Sequence, residues 1–380
     1  VKDILNIWLI IISATIGITA YTFLLPVNII HLNSLGFSAT KIGIFIAIPS
    51  VLVFLISPQL AYLLDRFGGK NLFFLSKIVI CLAIPLFTVS DSFYLFCFVN
   101  FIIGLCAAFL WPFTDAYIAK YAPTDKKGHY TGLYQMFIGA AYTIGPVLAA
   151  SYVMSYSEAI IVIFFISLAS MIPMLFIKFK LEIGKRDAQK IKLLKYFLVA
   201  PFLMIVALIG GLFEVGTISM GTVHSLKLGF SGSQASYIVA AIGLGSFALQ
   251  YPIGKIADKF DVTSLLKIFI FILFLTSVAI FYVTNFEGMI VIAIIWGAVG
   301  GGLYTLSIVA ISKNYQDKTV DILTSLMVTI YTLGSMIAPA IAGFLIDGQG
   351  KLGLPIFLIT ISILSIFISF FFSKKTKLSR

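Results

Sequence analysis

The chain has 380 residues, of which 60% are hydrophobic and 11% charged, with a mean hydropathy of +1.09 and a formal charge of +11. Soluble domains hold about 45–50% apolar and about 25% charged residues, so a soluble fold of this composition would lack the polar residues to cover its surface. That class is excluded, and the chain reads as a polytopic membrane protein.

The apolar stretches in chain order are roughly 5–30, 42–64, 72–90, 93–119, 131–154, 159–177, 196–223, 234–257, 265–284, 288–312, 320–346 and 354–373. Most reach about 20 residues, enough to cross a hydrocarbon core of about 30 Å. The first is too long for a signal-peptide core and lacks a cleavage site, so it counts as span 1. Twelve crossings put both termini on one side. Of the 26 Lys and Arg, all but Lys41, Lys227 and Lys351 fall at the termini or in the even-numbered gaps, span ends such as Lys77 included. The positive-inside rule then makes both termini cytoplasmic and the chain a multi-pass protein of the inner (plasma) membrane. The basicity is thus a topology signal and implies no nucleic-acid partner. Cys81, Cys97 and Cys106 lie in or beside spans, without disulfide or metal-ligand spacing.

The chain also repeats itself. A shift of 193 residues carries Leu35-Gly36-Phe37-Ser38 onto Leu228-Gly229-Phe230-Ser231, and without a gap His31 onto His224 and Asp65 onto Asp258. The same register pairs Phe67 with Phe260, Gly104 with Gly297, Leu110-Trp111 with Leu303-Tyr304, Lys120 with Lys313, and Pro146 with Pro339. One register over more than 100 residues is a duplication, and internal symmetry of this kind marks transporter folds. The expected architecture is all-α, with twelve transmembrane helices in two six-helix pseudo-symmetric bundles. Residues 1–177 form the first bundle, 178–195 a basic cytoplasmic linker, and 196–380 the second.

Between spans 2 and 3 the sequence reads Ala61-Tyr62-Leu63-Leu64-Asp65-Arg66-Phe67-Gly68-Gly69-Lys70. It resembles the major facilitator superfamily signature Gly-x-Leu-x-Asp-Arg-x-Gly-Arg-Lys. The second copy, Gly254-Lys255-Ile256-Ala257-Asp258-Lys259-Phe260-Asp261, keeps the first glycine and loses the turn glycine. The resemblance covers essentially the whole chain. Asp65 sits at the C-terminal end of span 2, the unfavourable end of a helix dipole for an anion. Either Arg66 and Lys70 or another helix's N-terminus must compensate it. The family resemblance implies a cytoplasmic gate, a latch to span 11; a solvated turn is the other reading. In span 5, Gly139, Gly145 and Pro146 resemble the exporter pattern Gly-Pro-x-x-Gly-Gly, with alanines at the last two positions. Span 11 carries the related set Gly334 and Pro339. A plain packing seam is the alternative reading of both.

Glu214 is the one acidic residue deep in a span, and Lys and Arg are read as lying outside that depth. Intramembrane charge is functional by default, and a carboxyl there can carry a proton as a cavity wets and closes. The alternative is a carboxyl that bonds a neighbouring helix for packing alone. At helical spacing Gly210, Glu214, Thr217 and Gly221 form one stripe, which the repeat maps onto Gly17, Tyr21, Leu24 and Asn28. The resemblance places spans 1, 4, 7 and 10 around a central cavity. Further candidates are Asn100, Trp111 and Asp115 on span 4 and Tyr304 on span 10. Tyr134, Gln135 and Tyr142 on span 5 and Gln250 on span 8 complete the set. His31 and His224 stand at the outer ends of spans 1 and 7, where inherited helix-end residues are the simpler reading than a pH sensor.

No His-Glu-x-x-His, Gly-x-Ser-x-Gly or phosphate-binding glycine loop occurs, so enzyme chemistry, a metal, a cofactor and ATP drive are not expected. The expectation is a monomeric secondary active transporter of a small organic solute by alternating access. It is expected to be proton-coupled, with export favoured slightly over uptake. The alternative is a transporter-fold sensor or scaffold without net transport.

Overall fold

The computed structural model describes residues 2–56, 59, 63, 66, 68–123, 127–151, 155–177, 193–315 and 318–372. Every labelled element is an α-helix. The first six are α1 (Lys2–Ser34), α2 (Ala39–Ile56), α3 (Gly69–Ala83), α4 (Phe93–Tyr121), α5 (Lys127–Ser151) and α6 (Tyr156–Ala169). The second six are α7 (Pro201–Lys227), α8 (Gly232–Lys259), α9 (Val262–Ala279), α10 (Phe286–Asn314), α11 (Lys318–Gln349) and α12 (Gly353–Phe372). Among the described residues eleven stretches are long and apolar enough to cross a membrane, and the last, Ile322–Ser369, takes in most of both α11 and α12 around a short 3-10 turn. Each of the twelve spans expected from the sequence contains a helix among the described residues. Helix is what a bilayer requires, since a spanning backbone must satisfy its hydrogen bonds within the segment.

The repeated tetrapeptide explains itself in the structure. After α7, Gly229 N–H donates to Leu226 O at 3.0 Å and Phe230 N–H to Ser225 O at 3.1 Å. This is a Schellman end, which needs a left-handed residue at Gly229, where φ is +89°. Gly36 takes the same role after α1 with φ +81°. The serine that follows starts the next helix. Ser231 and Gln234 cap α8 reciprocally, the serine hydroxyl accepting from Gln234 N–H at 3.2 Å and the glutamine oxygen from Ser231 N–H at 3.0 Å. Four residues thus end one helix and begin the next, in both copies.

The chain divides into two compact units, Val1–Leu35 with Ile48–Ala188, and Gly36–Ala47 with Gln189–Arg380. In the first unit Gly104 of α4 lies against α2, where a Cβ would come within 2.6 Å of Pro49 Cα. In the second, Gly297 of α10 lies against α8, and a Cβ would come within 2.8 Å of the Ile242 carbonyl carbon. Both glycines and both partners are 193 residues apart, so the duplicated register is also a duplicated backbone seam. Other seams in the second unit set Gly334 of α11 against Leu208 and Leu212 of α7, and Gly211 of α7 against Tyr331 and Ser335 of α11. In the first unit Gly145 of α5 packs on Thr19, Thr22 and Phe23 of α1, and the Thr22 hydroxyl donates to Ala141 O at 2.8 Å. Helices in lipid associate through such small-residue contacts and interhelical hydrogen bonds.

Candidate functional site

The second unit brings together the strongest cluster. Glu214 lies at the middle of α7, and the Tyr331 hydroxyl of α11 donates to its Oε2 at 2.7 Å. The Tyr304 ring of α10 meets the Tyr331 ring edge-on, with centroids 5.0 Å apart. Three consecutive glycines on α10 make room for three different helices. At Gly300 a Cβ would sit 3.3 Å from Glu214 Cβ, and at Gly301 one would sit 2.7 Å from Gln250 Nε2. At Gly302 a Cβ would press on the Phe269 ring of α9. One turn after Gly301, the Thr305 hydroxyl donates to Gln250 Oε1 at 3.3 Å, and Gln250 Nε2 donates to Ser246 Oγ at 3.4 Å. The arrangement is a carboxyl held by a phenol, beside a second phenol and an amide, on α7, α8, α10 and α11. Glu214 has no ion-pair partner among the described residues.

Tyr331 was missing from the sequence reading because the cavity candidates were sought on spans 1, 4, 5, 7, 8 and 10, and span 11 was read only for its Gly334 and Pro339 packing set. Its signal was a tyrosine amid an apolar span, one helical turn before Ser335. Thr217, by contrast, turns away: it is fully buried and donates to Phe213 O and Glu214 O of its own helix at 2.9 and 3.0 Å.

The first unit corrects one expectation. Lys77, counted from the sequence with the cytoplasmic ends, is buried within α3. Its Nζ donates to Ser13 O of α1 at 2.7 Å and to Ser170 Oγ, just past α6, at 3.1 Å. A Cβ at Gly17 would come within 3.0 Å of that Nζ, so the glycine leaves space for the ammonium. Intramembrane charge is therefore not confined to Glu214. The alternating excess of Lys and Arg survives this, because one of 26 such residues moves.

The other candidates fall in three groups. Asp115 is exposed on α4 and accepts a hydrogen bond from Tyr134 of α5, which is buried in the aromatic core with Tyr117 and Tyr130. Trp111, one turn before Asp115, is also exposed, Gln135 is exposed, and Tyr142 packs at the margin of that core. At the other end of the unit Asn28 is buried and accepts from the Tyr156 hydroxyl at 2.8 Å. The Tyr156 ring stacks on His31 at 3.6 Å, and His31 Nε2 lies 3.0 Å from Asp91 Oδ1. Tyr21 is half-buried on α1, and Asn100 is buried on α4.

Of the gate motif, Asp65 lies outside the described residues, as does the side chain of Asp258. Arg66 and Lys70 are exposed, and Gly68 has φ +78°, a conformation that requires glycine before α3. In the second copy Lys259 is exposed in the last turn of α8, the favourable end for a cation. Gly254 has open space around its Cα. The Lys313 ammonium donates to Ala257 O at 2.7 Å and satisfies one of the carbonyls that this helix end leaves free. The packing motif behaves as a seam: Gly145 and Gly334 meet backbone of neighbouring helices, and the Thr143 hydroxyl donates to Gly139 O at 3.2 Å.

A family model described as Major Facilitator Superfamily matches residues 7–282 and 203–380. The uncharacterized MFS-type transporter YcaD of Escherichia fergusonii is 23% identical over 291 residues, 75% of this chain and 74% of its own. An uncharacterized MFS-type transporter of Methanocaldococcus jannaschii is 20% identical over 364 residues, 92% of each chain. The crystal structure of the nucleoside transporter NupG superposes with a TM-score of 0.78 at 13% identity, covering 99% of this chain and 100% of that one. That likeness shows the fold. With the family match spanning both copies of the repeat, the chain belongs to the Major Facilitator Superfamily and is a multi-pass membrane transporter of that family.

Proposed function

We propose that this transporter couples the movement of a small organic solute to protons, and that Glu214 carries the proton. The single observation behind this is the Glu214–Tyr331 pair: a carboxyl in mid-span whose partner is a neutral phenol at 2.7 Å and not a cation. An acid beside a permanent cation is held in its ionised form, whereas one beside a hydroxyl can exist in either form. Tyr331 donates to the ionised carboxylate and can turn to accept from the neutral acid. The two protonation states are therefore both hydrogen-bonded, a condition for a residue that cycles between them. Gln250, Thr305 and Tyr304 supply amide, hydroxyl and aromatic surface for an organic solute beside it. With both termini cytoplasmic, as the placement of Lys and Arg implies, alternating access would expose this cluster to each side in turn. The exporter-like Gly145-Pro146 pair inclines the reading toward export. The close approach of Gly145 to α1 supports a packing role equally well.

The test is flux in proteoliposomes with an imposed pH gradient, screened over labelled metabolites and drugs. Glu214→Gln should lose gradient-driven accumulation of a solute that the parent accumulates, while downhill exchange persists. Accumulation unchanged in Glu214→Gln would remove this residue from coupling. A parent that moves no solute would favour a sensor or scaffold.

A further inference from the structure

The two copies of the repeat begin their second helices differently. In α8 the serine cap is reciprocal, because Gln234 returns its side chain to Ser231 N–H. The residue 193 positions earlier is Lys41, which cannot accept a hydrogen bond. Its ammonium lies over the Phe37 ring at 5.5 Å. Helix α2 therefore keeps half a box, with Lys41 N–H donating to Ser38 Oγ at 3.3 Å.

The amides that α2 leaves free are taken by a carboxylate about 300 residues away. Asp347, at the end of α11, accepts from Ala39 N–H at 2.7 Å through Oδ1 and from Thr40 N–H at 2.8 Å through Oδ2. The Thr40 hydroxyl adds a bond of 2.5 Å to Oδ2. The position 193 residues before Asp347 is Met154, so the copy whose helix caps itself has no acid at the matching place. Beside the carboxylate the two helices meet backbone to backbone. A Cβ on Gly43 would come within 2.7 Å of the Pro339 carbonyl carbon, and one on Gly343 within 2.8 Å of the Ala39 carbonyl carbon. Ala39, Thr40, Gly43, Pro339, Gly343 and Asp347 all belong to the second unit.

We propose that Asp347 and the first turn of α2 form a releasable latch, closed in this structure and opened in another state of the transport cycle. A carboxylate at a helix N-terminus gains from both the free amides and the dipole. The contact is built to part. Asp347 and Lys41 are exposed, so water can replace each bond as the helices separate. The helices touch through the Gly43 and Gly343 backbones, and Ile42, Phe45 and Ile46 of α2 are buried in the same stretch, so parting also uncovers those three side chains. A self-capped α2 would gain less from this seat, which accounts for Lys41 where the other copy has glutamine. The proposal rests on the transport reading only for the opening step.

Hydrogen exchange of the purified parent, read on the peptide spanning Leu35 to Gly43, tests the seat without any solute. Asp347→Asn should speed exchange at Ala39 and Thr40 roughly tenfold or more, as expected for losing bonds to a charged acceptor. Thr40→Val, which removes only the hydroxyl, should speed it by a smaller factor, and it serves if Asp347→Asn does not fold. Lys41→Gln should slow exchange at Ser38 by completing the box. Unchanged exchange in both Asp347→Asn and Thr40→Val overturns the latch. For opening, a Thr40→Cys and Asp347→Cys pair in a background lacking Cys81, Cys97 and Cys106 is cross-linked by a short bis-maleimide. Flux of a solute carried by the parent should be lost on cross-linking. Full flux in the cross-linked protein would make the contact a static clasp and overturn the proposal. A parent without flux would count against transport, and the exchange result would still decide whether the seat exists.

Discussion

Gly297→Ala probes the seam that holds α10 in the orientation on which the site depends. The new methyl would lie 2.7 Å from Ser246 N and 2.8 Å from the Ile242 carbonyl carbon. The nearest obstruction is the Ile242 carbonyl oxygen, and comfortable contacts are about 3.5–4.0 Å, so α8 and α10 must part by more than about 1 Å. The obstructing atoms are helical backbone, which cannot swing aside as a side chain would. Overpacking of this kind costs about 1–3 kcal/mol, offset by about 1 kcal/mol from replacing glycine with alanine in a helix. A net loss of up to about 2 kcal/mol, at roughly 2–4 °C per kcal/mol for chains of comparable bundle size, lowers the melting midpoint by up to about 8 °C. The control is Gly254→Ala, where no atom lies within 4 Å of the added methyl; its midpoint should stay level or rise. Thermal unfolding of both variants in detergent makes the comparison. A Gly297→Ala midpoint equal to that of Gly254→Ala would refute the close approach. The same shift of helix position would displace Gly300 and Gly301, so solute binding should weaken as well.

Other outcomes follow from the same geometry. Tyr331→Phe removes the 2.7 Å bond to Glu214 and should impair proton-driven accumulation more than downhill exchange; equal loss of both would assign Tyr331 to the solute. Lys77→Met replaces a buried ammonium, which has no carboxylate partner among the described residues, with a side chain of similar length. Since burying charge is costly and apolar replacement is often neutral or stabilising, its midpoint should hold or rise by a few degrees, and a fall would show that the ammonium is structurally needed. Cysteines at the exposed positions Lys120 and Lys351 should react with an impermeant reagent from opposite sides of the membrane, and same-side labelling would contradict the twelve-span topology.

Most of the fold was legible because it rests on signals that need no tertiary detail. Long apolar stretches become helices in lipid with little choice, and the 193-residue register predicted a correspondence that the Gly104–Pro49 and Gly297–Ile242 seams display atom by atom. Glu214 was legible for the same reason, as a charge where charge is expensive. Tyr331 was not, because a tyrosine among apolar residues is ordinary until the opposing helix is known. Lys77 was misread since only seven residues, about two helical turns, separate it from Lys70, and sequence gives no depth for a lysine near a span end. Asp347 was equally silent: an acid beside a loop looks solvated unless the helix that lacks its own cap is seen beside it.

The central claim, that Glu214 exchanges a proton, can be read directly without knowing the solute. Infrared difference spectra of the membrane-reconstituted protein, recorded as pH is stepped, detect the carbonyl stretch of a carboxylic acid as it gains or loses its proton. The account predicts a pH-dependent carboxylic band in the parent that is absent in Glu214→Gln and shifted in frequency in Tyr331→Phe, where the phenol donor is gone. Superimposable spectra from the parent and Glu214→Gln would contradict it.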